Sequence, residues 1–335
     1  MKAPFRVGTA TVEAGTTGSG DIEEGQDLFG RRHHIPVTIV NGAYDGPRLW
    51  IVGGIHGDEF EGAISAYKLL SLLDPQVLRG AVVINTALYV AALNAGRRFD
   101  PLDLYGQDMN KIYPGKPNGF GAERIAWAHW SAMKDNCDLL ITVHSGGGHS
   151  FFAPTVSCPD TPASVELAAA MGPDFQAMMK MAVGTGTPEK QLASSGKPAC
   201  LVEVGGKCRT LTDDFHRMGD ILCNAYVNVL RHYGMIPGDP KYADRWHIGH
   251  QVSVLAGCDG VWVGNPGVPF VTTMEKGFEF GRIYDLYGNV QEVLTAPQDG
   301  MVFGLRSEPI VHVGEWVVFY LAIDEERDDL VQTKP

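Results

Sequence analysis

Through the first two thirds of the chain, short continuous apolar runs alternate with stretches whose apolar residues recur at helical spacing. Leu49-Trp50-Ile51-Val52 is β-prone and ends in Gly53-Gly54, which predicts a buried strand. Behind it Ala63, Ile64, Tyr67, Leu70 and Leu73 mark one face of a helix over 61–73. Asp58 reads as its N-cap, and Glu61, three residues on, completes a capping box. Ala81 to Asn85 is the next strand, and strand, helix, strand in that order predicts a βαβ unit in a largely parallel sheet. Asp138 to Val143 and Pro198 to Val204 are further buried strands, each running into glycines, and Phe151 to Val156 is read as another. Helical spacing appears over 123–136, 163–171, 174–183 and 210–233, the last opened by Thr210 or Thr212 and closed by Gly234. Residues 1–45 read as short strands and turns around a Gly/Thr-rich loop at 15–20, and 89–121 as a long irregular segment.

The turn-forming Met235-Ile236-Pro237-Gly238-Asp239-Pro240 marks a boundary, giving an α/β domain over 1–237 and a β-rich domain over 238–335. Beyond it come short β-prone runs separated by Gly, Asn and Pro, the pattern of a small all-β sandwich or barrel. Within that module Glu292-Val293-Leu294-Thr295-Ala296-Pro297-Gln298-Asp299-Gly300, with Gly314-Glu315-Trp316 later, is similar to biotinyl/lipoyl carrier folds. Those folds carry their group on a lysine at a hairpin tip. The corresponding turn, Tyr287-Gly288-Asn289, has no lysine and Lys276 lies too early, so a carrier role is not expected. Covering one side of a cleft, or packing against another copy in a homo-oligomer, is the expected job.

Charge narrows the partners. The 335 residues hold 27 Lys plus Arg against 39 Asp plus Glu, a formal net charge of −12, which argues against nucleic acid and anionic membranes. Apolar content of 44% is that of an ordinary globular protein. The opening residues lack the apolar core of a signal peptide, and no run approaches membrane-spanning length. The six cysteines form no CxxC pair and read as reduced, mostly buried thiols, so a cytoplasmic location is expected.

Candidate chemistry gathers where strands end. His56 and Glu59 sit three apart at a strand-to-helix turn, offering two of the three protein ligands of a catalytic zinc. The plainer alternative is a loop histidine beside a glutamate favoured by a helix dipole. His144 closes a strand in the same way and is the third candidate; His149 ranks below it, past the glycines. Glu203 is an acid within an apolar strand, costly to bury unless paired or functional, and is the candidate general base. The 89–121 segment brings Arg97, Arg98, Asn110 and Lys111, a set suited to gripping anions. His33 and His34 have no ligand-spaced partners and read as surface residues. One Zn2+ on His56, Glu59 and His144 would leave an open position for a water with a pKa of about 7. Glu203 would take that water's proton, Arg98 would face the oxyanion, and Asn110 with Lys111 would hold a substrate carboxylate. The class is amide or ester hydrolysis.

Four motifs occur in one order: Gly53-Gly54-x-His56-Gly57-Asp58-Glu59; Arg98 with Asp108-Met109-Asn110-Lys111-x-Tyr113-Pro114-Gly115; His144-Ser145-Gly146-Gly147; and Glu203-Val204-Gly205-Gly206. Over nearly its whole length the chain resembles the succinylglutamate desuccinylase/aspartoacylase family of zinc-dependent deacylases, relatives of the zinc carboxypeptidases. The resemblance implies a mixed, mostly parallel sheet flanked by helices, with a β-rich C-terminal domain. It implies His56, Glu59 and His144 as ligands of one zinc per chain, and Glu203 as catalytic base. It also implies Arg98 and Asn110 as substrate and oxyanion contacts; Lys111, Tyr113 and Arg97 are further candidate substrate-binding residues of this chain. Lys111 stands where the family usually has arginine, replacing a bidentate fork by a point charge. The expected activity is hydrolysis of the amide of a small N-acylated amino acid or related amine. The alternatives are a carboxypeptidase acting on peptides and a catalytically silent small-molecule-binding protein; the complete ligand set with Glu203 weighs against the silent one.

Overall fold

Apolar runs that are fully buried on both faces belong at the centre of a sheet, and the three runs ending near 52, 143 and 204 lie there side by side. The structure, a computed structural model, describes residues 2–26, 32–103, 105–207 and 213–331. In chain order it comprises β1 (Phe5–Val7), β2 (Ala10–Val12), β3 (Thr16–Gln26), β4 (Arg32–Asn41), β5 (Tyr44–Val52), α1 (Glu61–Leu72), β6 (Arg79–Asn85), α2 (Val90–Ala95), α3 (Gly121–Met133) and β7 (Leu139–His144). It continues with β8 (Ser150–Pro159), α4 (Pro162–Ala169), β9 (Ala177–Met181), α5 (Pro188–Ala193), β10 (Ala199–Gly206) and α6 (Asp213–His232). The remaining strands are β11 (Trp246–Leu255), β12 (Gly260–Gly264), β13 (Thr273–Met274), β14 (Glu279–Tyr284), β15 (Val290–Thr295), β16 (Gly300–Arg306), β17 (Ile310–Val311) and β18 (Trp316–Arg327). Among the described residues no helix is long and apolar enough to cross a membrane.

Twelve strands form one mixed sheet in the order β13-β16-β18-β11-β9-β8-β10-β7-β5-β6-β4-β3. The βαβ reading of β5, α1 and β6 holds, and β6, β5, β7 and β10 run parallel. "Mostly parallel" does not hold. Both ends of the sheet are antiparallel, because β3 to β4 and β16 to β18 are close in sequence and can pair without a crossover. Residues alternate across the central strands: Leu49 and Ile51 pack with α1, α4 and α6, while Trp50 and Val52 pack with α3 and the β1–β2 hairpin. The helices pack on the strands from β3 to β10, and other strands cover the β11, β16 and β18 end.

Several local expectations change. The 174–183 stretch is not a helix; a short turn at Pro173–Phe175 leads into β9. Ala177 and Met179 face one core and Met178 another, so both faces of this segment are buried and period two wins. The Gly15–Gly20 loop is instead the start of β3, paired with β4 from Thr16↔Asn41 onward. Val90–Ala95 is a short helix inside the segment read as irregular. Helix α1 buries Leu69 together with Gly62, Ser65 and Ala66, three small residues that admit the sheet, while Tyr67 is exposed. Ile64 of the expected face meets Gly219 of α6 instead. Thr210, Thr212 and Cys208 lie outside the described residues.

The sheet also closes on itself locally. β16 pairs with both β18 and β8, so β8, β9, β11, β18 and β16 form a small five-stranded barrel. Phe152, Met179, Met301, Phe303, Phe319 and Leu321 fill it. A second sheet, β15-β14-β12-β17, packs through Trp262, Phe280, Ile283 and Leu294 against Val302, Val318 and Tyr320. Its β14–β15 hairpin turns at 285–289, where Asp285 accepts from the Tyr287 and Asn289 amides.

Phe303 is almost wholly buried in the barrel. Phe303→Ala should cost about 3–5 kcal/mol in urea unfolding; a loss under about 1 kcal/mol would contradict a packed barrel interior.

Candidate active site

The carboxyl ends of β5, β7 and β10 converge. His56 and Glu59 occupy the turn between β5 and α1, where the Glu59 amide donates to the His56 carbonyl. His144 is the last residue of β7, and Glu203 on β10 is its register partner. Gly57 allows the turn to pass against α2: a Cβ there would lie 2.0 Å from the Ala92 carbonyl carbon.

The expected capping box is absent. The N-cap of α1 is Phe60, with no side-chain cap. The two acids instead tie strand ends together, because those ends carry unpaired backbone amides. Asp58 accepts from the Gly148 amide at 3.2 Å, and Glu61 from the Gly206 amide at 2.6 Å. Gly205, at φ +78°, leaves room for Glu61, which a Cβ would meet at 2.6 Å.

His56, Glu59 and His144 are all buried and present one ligand atom each within 4.8 Å of one another. His56 Nδ1 lies 2.8 Å from Glu59 Oε1, His144 Nδ1 lies 2.9 Å from Glu59 Oε2, and the two Nδ1 atoms are 3.2 Å apart. Two imidazole lone pairs facing each other beside a carboxylate need a proton or a cation between them. Zinc bonds of about 2.0–2.1 Å imply tetrahedral edges of roughly 3.3 Å, close to the observed separations. The donor set therefore fits a zinc ion. Asp108 accepts the outer edge of His56, with Nε2 to Oδ1 at 3.0 Å, as the carboxylate partners of metal-binding histidines do.

Burial works against charge here, yet partners prevail. Desolvation would lower His56, but Glu59 and Asp108 raise it to about 9. Desolvation would raise Glu59 and Asp108, but the histidines, and Arg98 for Asp108, hold both well below the usual carboxylate range. Glu203 goes the other way: burial, then the charge of Glu59, push it well above that range. Its Oε2 is shielded from solvent and has no hydrogen-bond partner.

Arg98 points inward, with NH2 3.1 Å from Asp108 and NH1 3.4 Å from Glu59, while Arg97 is exposed. Lys111 is exposed, its Nζ 3.6 Å from Asp108, and the Asn110 Oδ1 is buried without a partner. Tyr113 is turned away: its ring is in the core and its hydroxyl bonds His129 Nδ1 at 2.8 Å. His149 stays outside the cluster, beside Ser150 Oγ at 3.0 Å. Asp108 is the residue that sequence reasoning passed over. Its signal was a carboxylate two residues before Asn110 in a segment otherwise read for its cations.

The succinylglutamate desuccinylase/aspartoacylase catalytic-domain pattern matches residues 45–228. N-alpha-acetyl-L-2,4-diaminobutyric acid deacetylase of Halomonas elongata is 26% identical over 302 residues, covering 87% of this chain and 86% of that one. A succinylglutamate desuccinylase structure from Silicibacter sp. TM1040 superposes with a TM-score of 0.80 at 19% identity, covering 96% of this chain and 98% of that one. The product-bound ectoine utilization protein EutE (DoeB) of Ruegeria pomeroyi gives 0.79 at 21%, covering 95% and 98%. These two likenesses are of fold.

Because His56 in the metal-free protein holds its proton up to about pH 9, zinc uptake at pH 7 should release about one proton per ion, measurable by calorimetry in buffers of different ionisation enthalpy. The linkage has a definite sign. A histidine raised from 6.5 to about 9 stabilises the metal-free fold fully below 6.5 and loses that contribution as pH rises through about 9. The metal-free Tm should fall across that window, more than that of the zinc-loaded protein; equal slopes would contradict the His56 assignment. Asp108→Asn should weaken zinc binding by about 10- to 100-fold, read by competition with a chelator.

Proposed function

Because the chain belongs to the succinylglutamate desuccinylase/aspartoacylase family, we propose that it is a zinc-dependent deacylase cleaving the amide of a small N-acylated amino acid or related amine. The observation that carries this reading is the buried convergence of His56, Glu59 and His144 beside an unpartnered Glu203 carboxylate oxygen. The Halomonas relative, named as a deacetylase of an N-acetylated amino acid, supports a small N-acyl substrate over a peptide. His56, Glu59 and His144 would hold the zinc, which when bound supplies Lewis-acid chemistry toward water and the amide carbonyl.

The chain's own groups divide the rest. Glu203 accepts the attacking water's proton at its free Oε2 and delivers it to the leaving amine. Burial and the charge of Glu59 raise the Glu203 pKa above the usual carboxylate range, the direction that favours holding the proton between the two transfers. Arg98 is held by Asp108 and Glu59 through two of its N–H groups and keeps others for the oxyanion. Asn110 and Lys111 lie on the same segment and are the proposed substrate contacts, with Lys111 giving a carboxylate a single mobile charge. Arg97 and Tyr113 have weaker support, being respectively exposed and core-buried. The division at 237/238 is kept as the boundary between the part carrying these residues and the β-rich part. A cytoplasmic, soluble setting remains the proposed location.

Glu203→Gln should retain zinc by metal analysis while kcat falls by about 10²- to 10⁴-fold; a variant with near wild-type turnover would remove Glu203 from the base role. His144→Ala should lose the metal itself. A panel of N-acyl amino acids against C-terminal peptides tests the substrate class, and turnover of peptides alone would replace the deacylase by a carboxypeptidase.

A further inference from the structure

Glu203 lies between two cross-strand neighbours, His144 of β7 on one side and Thr155 of β8 on the other. Residues directly opposed on neighbouring strands project to the same face of a sheet. Thr155 therefore shares the face that carries His144 and Glu203, while Val156, next along β8, faces the opposite core. Past this pair the β8–β10 register slips before Gly205↔Phe152, an irregularity of the kind that re-aims side chains beside active sites. On its other edge β8 is held by β9, paired at Val156↔Met178, so the backbone that carries Thr155 is fixed.

Thr155 is 1% exposed, and its Oγ1 is shut off from solvent with no hydrogen-bond partner. The Oε2 of Glu203 opposite is in the same state. A buried hydroxyl left unpaired costs stability that a valine of the same shape would not. Packing alone thus gives no reason for threonine at this position. A hydroxyl is a donor and a carboxylate an acceptor, so the two unpaired groups match in kind. His144, the other flank of Glu203, has its ring fixed through Nδ1 to Glu59, so its Nε2 cannot turn independently. Thr155 is the neighbour whose donor is uncommitted. Hydrogen bonds of a catalytic site are often loose without substrate and tighten in the complex.

We propose that Thr155 is a positioning residue for Glu203, its hydroxyl donating to Glu203 Oε2 in the substrate complex. That oxygen has two lone pairs. One accepts from Thr155, and the other is thereby aimed at the attacking water. The role rests on the assignment of Glu203 as base in the deacylase reading. A base must reach its proton within about 2.6–3.2 Å, and small misplacements of reacting groups slow turnover steeply.

The test measures kcat and KM on the full-length, zinc-loaded protein, with an N-acyl amino acid from the panel above. Thr155→Val should lower kcat roughly tenfold at unchanged KM, with zinc content unchanged. Its Tm should not fall, because the substrate-free protein loses no hydrogen bond. Thr155→Ala, which also lacks the hydroxyl, should lose kcat alike, so the result does not hang on one variant's folding. Thr155→Ser should recover kcat to within a few-fold of wild type. Adding Thr155→Val to Glu203→Gln should slow the enzyme no further. Wild-type kcat in Thr155→Val overturns the proposal, while a slow Glu203→Gln beside it leaves the base assignment standing. A Thr155→Ser as slow as Thr155→Val, or a loss carried by KM or by zinc, overturns it too. An active Glu203→Gln, or a wild-type protein that turns over no member of the panel, overturns the deacylase reading and this role with it.

Discussion

A carboxylate buried as deeply as Glu59 is unstable unless positive charge comes to it, and the architecture around the site answers that requirement. Two histidines and an arginine reach Glu59 from three separate parts of the chain: His56 from its own turn, His144 from the end of β7, and Arg98 from beyond α2. Removing any of them strands a charge in a poorly solvated place, where breaking a pair costs far more than the intact pair contributes. Glu59 is thus both the centre of the cluster and the reason its members must stay together. A divalent cation would relieve the same demand more completely, displacing the proton that His56 otherwise keeps.

Holding those groups in place falls to residues with no direct part in the chemistry. Asp58 and Glu61 pin the glycine-rich ends after β7 and within β10 to the β5–α1 turn, so three neighbouring strand ends move as one body. Asp108 does the same for the ring of His56 and, through its other oxygen, for Arg98. Asp58 and Glu61 lie at the ends of parallel strands, where the ladder stops and backbone amides lack partners. The geometry of a metal site is sensitive to such outer contacts because they set both the ring orientation and the basicity of the ligands.

Much of this was legible in the sequence. The central strands declared themselves as continuous apolar runs, and His56, Glu59, His144 and Glu203 stood out because each interrupts such a run or its glycine exit. The failures share a cause. Segment 174–183 has apolar residues on every side, so its helical spacing competes with a period of two, and only the strands that bracket β9 decide. Capping was assigned to Asp58 and Glu61 because local sequence favours it, but amides from residues 148 and 206 compete for the same carboxylates. Asp108 was hidden for the same reason: its partner His56 is 52 residues away, a distance that spacing rules cannot bridge. The face of α1 was misjudged because Gly62, Ser65 and Ala66, buried beside Leu69, are small enough to approach the sheet and leave no mark in an apolar periodicity.

The change of pattern after Pro240 marks a change in secondary structure, while the sheet itself runs through it. β11 joins β9 in parallel, and β18 and β16 extend the ladder until β16 returns to β8. β8 is therefore shared, pairing with β10 on one edge and β16 on the other. It begins just after the glycines that follow His144, and its Phe152 packs against Phe303 and Phe319 inside the barrel. A strand whose two edges are both satisfied has little freedom to shift, and the His144 loop is anchored at its far end by such a strand. The C-terminal strands thus help to fix the position of His144 through backbone pairing and aromatic packing, without contributing a side chain to the His56–Glu59–His144 cluster.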